Sequence, residues 1–230
     1  MRVTTSTLVL GFVLGGALAG SAASVTYVKA QPAWAEAPTV ADVAAAYPAR
    51  AKAEGVKGTA ELTCSIGHDD RPRDCAVLHE TGNYGFGAAA KKLAAKLKVE
   101  QSGMYGQDVY IPFSFDPSIL SGAATVTQPN WAQMPEVEDL KATFPQTQNG
   151  VNHVRVVLGC TVDADGGLDA CKINQEDPAG QGYGAGALAL APKFRMQPWG
   201  AQGEPVVGAH INLPIRYELT PVAAGAKPQS

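Results

Sequence analysis

What the chain lacks narrows its role before anything it contains. Only 17% of its 230 residues are charged and 7% are aromatic, and Lys plus Arg (18) fall short of Asp plus Glu (21). Without a basic excess there is no surface to neutralise phosphates, so no nucleic-acid partner is expected. The four cysteines include no Cys-x-x-Cys pair, which removes the usual thiol redox motif. His68, His79, His153 and His210 share no ligand spacing with Cys or Asp, and no metal is expected. His68-Asp69-Asp70 falls at an expected turn tip, where acidic residues serve the turn itself. Asp163-Ala164-Asp165-Gly166 opens like a calcium loop, but Leu168 and Asn174 occupy the positions where such a loop needs Gly and Glu. The Gly-rich stretches 82–87 and 180–186 lack the Lys-Ser/Thr pair of a phosphate loop. No Ser, Cys or Thr has a repeat-supported His and acid beside it. The reading is therefore a binding protein and not an enzyme, with no catalytic residue and no cofactor.

Charge is also missing along one continuous stretch, from Arg2 to Lys29, and within it Leu8 to Ala19 is an apolar run. Residues 1–23 read as a signal peptide cut after Ala23, and an uncleaved membrane anchor is the alternative, because the uncharged stretch is long enough to span a bilayer. Removing Arg2 with that segment changes 18 − 21 into 17 − 21, a net charge of −4. The expected location is the periplasm. The anchor alternative places the chain on the inner membrane facing the same compartment.

What is present is dominated by a repeat. PAWAEAPTVADV from Pro32 returns as PNWAQMPEVEDL from Pro129, so that Trp34, Pro38, Val40 and Asp42 match Trp131, Pro135, Val137 and Asp139. Tyr47-Pro48 matches Phe144-Pro145, and Cys64, Cys75 and Glu80 match Cys160, Cys171 and Glu176. YGFGAAA from Tyr84 is aligned with YGAGALA from Tyr183, and VYIPFSF from Val109 with INLPIRY from Ile211. So many collinear matches indicate a duplicated unit. The expected division is a first repeat at 32–116, an uncharged linker at 117–128, a second repeat at 129–219 and a flexible tail at 220–230.

Within each unit a short helix ends before Tyr47-Pro48 or Phe144-Pro145, since proline disfavours helical conformation in its predecessor. A hairpin follows, with a two-residue turn at Asp69-Asp70 or Asp165-Gly166. After a Gly-rich entry comes a helix with Phe86, Ala90, Leu93 and Leu97 on one face. The last strand alternates Val109, Ile111, Phe113, Phe115 in one unit and Ile211, Leu213, Ile215, Tyr217 in the other. The fold class expected is α+β, two tandem small antiparallel sheets, each a β-hairpin plus an edge strand packed against helices. One asymmetry stands out. Lys91, Lys92, Lys96 and Lys98 make the first unit's helix basic while ALALAPKFRM in the second is apolar, which is either a solvated face beside a buried one or a docking face for an acidic partner.

A turn centred between residues 69 and 70 sets Cys64 opposite Cys75, and one centred between 165 and 166 sets Cys160 opposite Cys171. Facing residues in a hairpin lie close to the span of a disulfide. Two structural disulfides are expected, with reduced thiols as the alternative. They imply an oxidising compartment.

Each unit resembles the TonB C-terminal domain. The residues that carry the resemblance are Tyr47-Pro48 with Ala51 and Gly55 to Gly58, the hairpin, Gly85-Phe86-Gly87 and the terminal IPFSF. In the second unit they are Phe144-Pro145, the Asp-Gly hairpin, Gly184-Ala185-Gly186, Lys193 to Pro198, the Gly203-Glu204-Pro205-Val206 turn and Leu213-Pro214-Ile215-Arg216-Tyr217. The resemblance implies a domain that binds the short extended segment of an outer-membrane transporter as an added strand. The candidate binding edges are Val109, Ile111, Pro112, Phe113 and Phe115, and Ile211, Leu213, Pro214, Ile215 and Tyr217. Pro112 and Pro214 fit an edge, where a missing N–H is tolerated, though they equally suit a blocked one. The energy-transducing member of the family has an anchor with a functional His and a long Pro-rich spacer. This chain has no His before His68 and no such spacer. The expected function is protein or peptide binding by strand addition, with a TonB-dependent outer-membrane transporter as the implied partner class. A membrane-anchored transducer and a structural protein whose units or copies pair edge to edge, as in a homodimer, are the alternatives.

Overall fold

A computed structural model of the chain describes residues 31–101, 103–144 and 153–218. The signal peptide expected at 1–23, Pro145, residue 219 and the tail expected at 220–230 lie outside the described residues.

The fold is α+β. The first unit runs β1 (Trp34–Glu36), α1 (Val40–Ala46), α2 (Ala49–Glu54), β2 (Gly58–Ile66), β3 (Pro72–Glu80), α3 (Phe86–Ala94), β4 (Lys98–Val99) and β5 (Asp108–Phe115). A 3-10 turn (Pro117–Ser121) and β6 (Thr125–Val126) follow, and then β7 (Trp131–Gln133), α4 (Val137–Thr143), β8 (His153–Val162), β9 (Leu168–Asp177), α5 (Tyr183–Leu190), a second 3-10 turn (Ala191–Lys193), β10 (Arg195–Met196) and β11 (His210–Glu218). Two sheets carry the architecture, β3-β2-β5 and β6-β11-β8-β9, and two short pairs, β1-β4 and β7-β10, clamp the helix ends.

Local chemistry explains the helices. Thr39 caps α1 reciprocally with Asp42, each side chain accepting from the other's backbone N–H. Tyr47 ends the helix in an extended conformation, as Pro48 requires of it. The sequence reading missed α2, which starts at once behind Pro48 and closes on Gly55 at φ 64. On β2 the residues Ala60, Leu62, Cys64 and Ile66 are buried and alternate with more exposed ones, and β8 does the same with Val156, Leu158, Cys160 and Val162. Phe86 at the start of α3 meets Tyr47 and Phe115 at the centre of the first core. Tyr183 at the start of α5 meets Phe144 and Tyr217 in the second.

Those aromatic clusters correct one part of the sequence alignment. The counterpart of Tyr183 is Phe86 and not Tyr84, because Gly85 at φ 89 and Gly182 at φ 85 hold the same entry position. Behind them Gly87 and Gly184 are packed so closely that a Cβ would press into Val77 or Ile173. Their N–H groups donate to Glu80 (2.5 Å) and Glu176 (3.2 Å). The matched glutamates therefore satisfy orphan donors in the first turn of each helix.

The hairpin turns also differ from expectation. Each loop has three residues, 68–70 and 164–166, closed by Gly67 N–H to Arg71 O (2.8 Å) and Asp163 N–H to Gly167 O (2.9 Å). Asp70 (φ 60) and Gly166 (φ 80) take the left-handed position that such a loop needs. A bulge then restores the lost residue, at Asp74 (φ 50) in one hairpin and Ala170 (φ 49) in the other. The register between the two irregularities is the one that the two-residue turns implied. Cys64 bonds Cys75 and Cys160 bonds Cys171, each with Cα atoms 4.1 Å apart.

Candidate functional site

β5 and β11, the two candidate strands, both use their odd-numbered residues for the core. Val109, Ile111, Phe113 and Phe115 are buried beneath α3, and Ile211, Leu213, Ile215 and Tyr217 are buried in the second unit. In a strand the side chains and the hydrogen-bonding groups alternate with the same period. Ser114 N–H and His210 N–H both bond away from β2 and β8, so the main-chain groups of the even-numbered residues face outward. Pro112 and Pro214 are among these, so their missing N–H costs no ladder bond. Burial of the Tyr217 phenol pushes its pKa up.

The outward sides of the two strands are in different states. On β5, Ser114 N–H donates to Gly203 O of the second unit (2.7 Å), and Pro112 O accepts from the Trp199 indole (3.2 Å). The Trp199 ring, 2% exposed, packs 5.1 Å from Phe113. Gly203 sits at φ 82 where a Cβ would strike the Pro112 carbonyl. Further along, Val40 N–H donates to Val207 O (2.9 Å), and Gln31 reaches Ala201 O (2.8 Å). A turn of the second unit thus occupies part of the first unit's edge.

That turn comes from the segment in which the second unit exceeds the first by most. Thirteen residues (197–209) separate β10 from β11, against eight (100–107) between β4 and β5. The sequence reading used the Gly203–Val206 turn for its resemblance but passed over Trp199. The signal was available: among three Trp, only Trp199 has no counterpart in the other repeat.

On β11, the stretch expected as a linker supplies β6, which pairs in parallel with His210 and Ile211, and His210 N–H donates to Ala124 O (2.8 Å). Beyond Ile211, β11 has no strand beside its outward face among the described residues. Asn212, Pro214 and Arg216 are exposed there. Asn212 is braced by Asn174, whose amide crosses Gly159 to donate to its side-chain oxygen (3.1 Å). Among the described residues β3 and β9 are also edge strands of the two main sheets.

The remaining singled-out residues have local roles. Asp69 pairs with Arg73 (2.6 Å), and His68 stacks on Tyr105 at 3.5 Å. Asp163 accepts the N–H groups of Asp165 and Gly167 and so ties its own turn. Lys96 bridges to Asp42 (3.1 Å), and its counterpart Lys193 to Asp139 (2.9 Å). Among the described residues no three His, Cys, Asp or Glu side chains cluster as metal ligands, and no helix is long and apolar enough to cross a membrane.

Comparison with known proteins agrees with the first unit's geometry. Residues 43–117 match the family model described as the Gram-negative bacterial TonB protein C-terminal. The chain is also similar to an uncharacterized protein of Caulobacter vibrioides, 32% identical over 63 residues, which cover 27% of this chain and 63% of that protein.

Proposed function

From a first unit of the TonB C-terminal type, we propose that the chain is an exported, periplasmic protein-binding module, not an enzyme, that takes up an extended peptide or envelope-protein segment by strand addition. The second unit is read as a repeat of the first, on the shared element order and the matched Cys, Glu and aromatic positions. The binding edge is β11 from Asn212 to Arg216, and a TonB-dependent transporter is the partner class that the family suggests. One observation carries the assignment: β5 already holds a turn of its own chain, whereas β11 beyond Ile211 keeps outward main-chain groups with no strand beside them among the described residues. Strand addition needs such an edge.

The test is a photo-crosslinking residue placed at Asn212, and separately at Ser114, in cells that export the chain. An adduct to an extended segment of an envelope protein is expected from Asn212 and not from Ser114. Equal labelling at both positions, or none at either, refutes the assignment.

Pairing of two copies through β3 is a second reading, favoured by Leu78, 58% exposed on that open edge. A monomeric mass at high concentration in solution rules it out.

A further inference from the structure

The contacts between the two units show what such a surface binds. On the first unit, Pro112, Phe113, Ser114 and Val40 receive residues 199–208: an indole over the strand, a glycine turn at its edge, and Val207-Gly208 against the start of α1. The repeat places Pro214, Ile215, Arg216 and Val137 at the corresponding positions of the second unit. Val137 is 58% exposed there, and Met134, which stands in place of Ala37, is 59% exposed. In the sister unit the matching Val40 and Ala37 are partly covered. Large apolar side chains left open beside an edge with no strand on it among the described residues mark an interaction surface.

We propose that this surface of the second unit receives, from another protein, a segment with the chemistry of this chain's own residues 199–208. That segment has an aromatic hydrogen-bond donor, a glycine turn and then branched apolar residues that reach Val137 and Met134. The proposal rests on the strand-addition reading and extends it past the edge to a turn. A second copy is not the occupant, because its own 199–208 segment is already seated on its first unit. Arg216, in place of Ser114, adds a positive charge beside the docking edge, so the partner segment is acidic or neutral, as the turn with Glu204 is.

The probe is a labelled synthetic peptide with the sequence of residues 197–209, titrated onto the full exported chain. Saturable binding is expected, weakened about ten-fold or more by Val137→Asp or Met134→Glu and by Trp199→Ala within the peptide. Both protein positions are exposed, so neither change disturbs folding. Absence of saturable binding overturns the proposal. So does binding that ignores both variants but is lost on Ser114→Pro, since the peptide would then be displacing the internal turn from the first unit. If this peptide fails while Asn212 still crosslinks an extended segment, the turn is refuted and the edge reading stands.

Discussion

Asp42 and Asp139 show how a single residue ties a helix start to the end of another helix. Each accepts the N–H three residues before it, from Thr39 (3.0 Å) or Glu136 (3.1 Å), and each pairs with a lysine just after the second helix. At Asp42 burial pushes the carboxyl up, but the hydrogen bonds from Thr39 and Lys96 outweigh it and hold the group below its usual range. At Asp139 the Lys193 hydrogen bond is the main cause of the same lowering. A carboxylate whose folded pKa lies below its unfolded value of 3.8 contributes fully above that value and loses its contribution as pH falls through the folded pKa. Thermal melts between about pH 5 and pH 2 should therefore show an acid-side loss of stability that is smaller in the Asp42→Asn/Asp139→Asn variant. An unchanged slope means these pairs do not govern acid sensitivity. The sequence made the match between the two aspartates visible. It did not disclose their lysines, because Lys96 and Lys193 are brought to them only when the helices pack.

Each hairpin carries its own disulfide. A disulfide across so short a loop stabilises by about 2–3 kcal/mol on loop-entropy grounds. Replacing Cys64 and Cys75 together with Ala should lower unfolding free energy in urea by that order, and the Cys160/Cys171 pair should behave alike. A loss well under about 0.5 kcal/mol from either pair contradicts this view. The pairing of the cysteines was legible although the turns were not. A three-residue loop shifts the register by one and a bulge at Asp74 or Ala170 shifts it back, so the two errors cancel at the cysteines. Nothing in the composition of either site announces a bulge, since Asp and Ala both take a positive φ there. Strands with period-two burial were readable from side-chain type alone. The short pairs β1-β4 and β7-β10 were not, because two or three residues carry no periodicity.

Across the whole molecule, the junction between the units was the feature least accessible to sequence reasoning. Trp199 and its acceptor Pro112 are 87 residues apart, and only packing decides that they meet. Trp199→Ala removes a buried indole, so it should cost about 3–5 kcal/mol and split thermal unfolding into two steps. A single undiminished transition in calorimetry would show that the units fold independently of this contact. The junction also has a consequence for competition. Even a flexible tether holds its ligand at an effective concentration on the order of millimolar, and this one is ordered by the 3-10 turn at Pro117–Ser121 and by β6. A free peptide at micromolar concentration with the same intrinsic affinity would displace the internal turn from only about one molecule in a thousand. Under the proposed function, the internal turn would leave β5 silent toward weak outside ligands and the chain monovalent toward them.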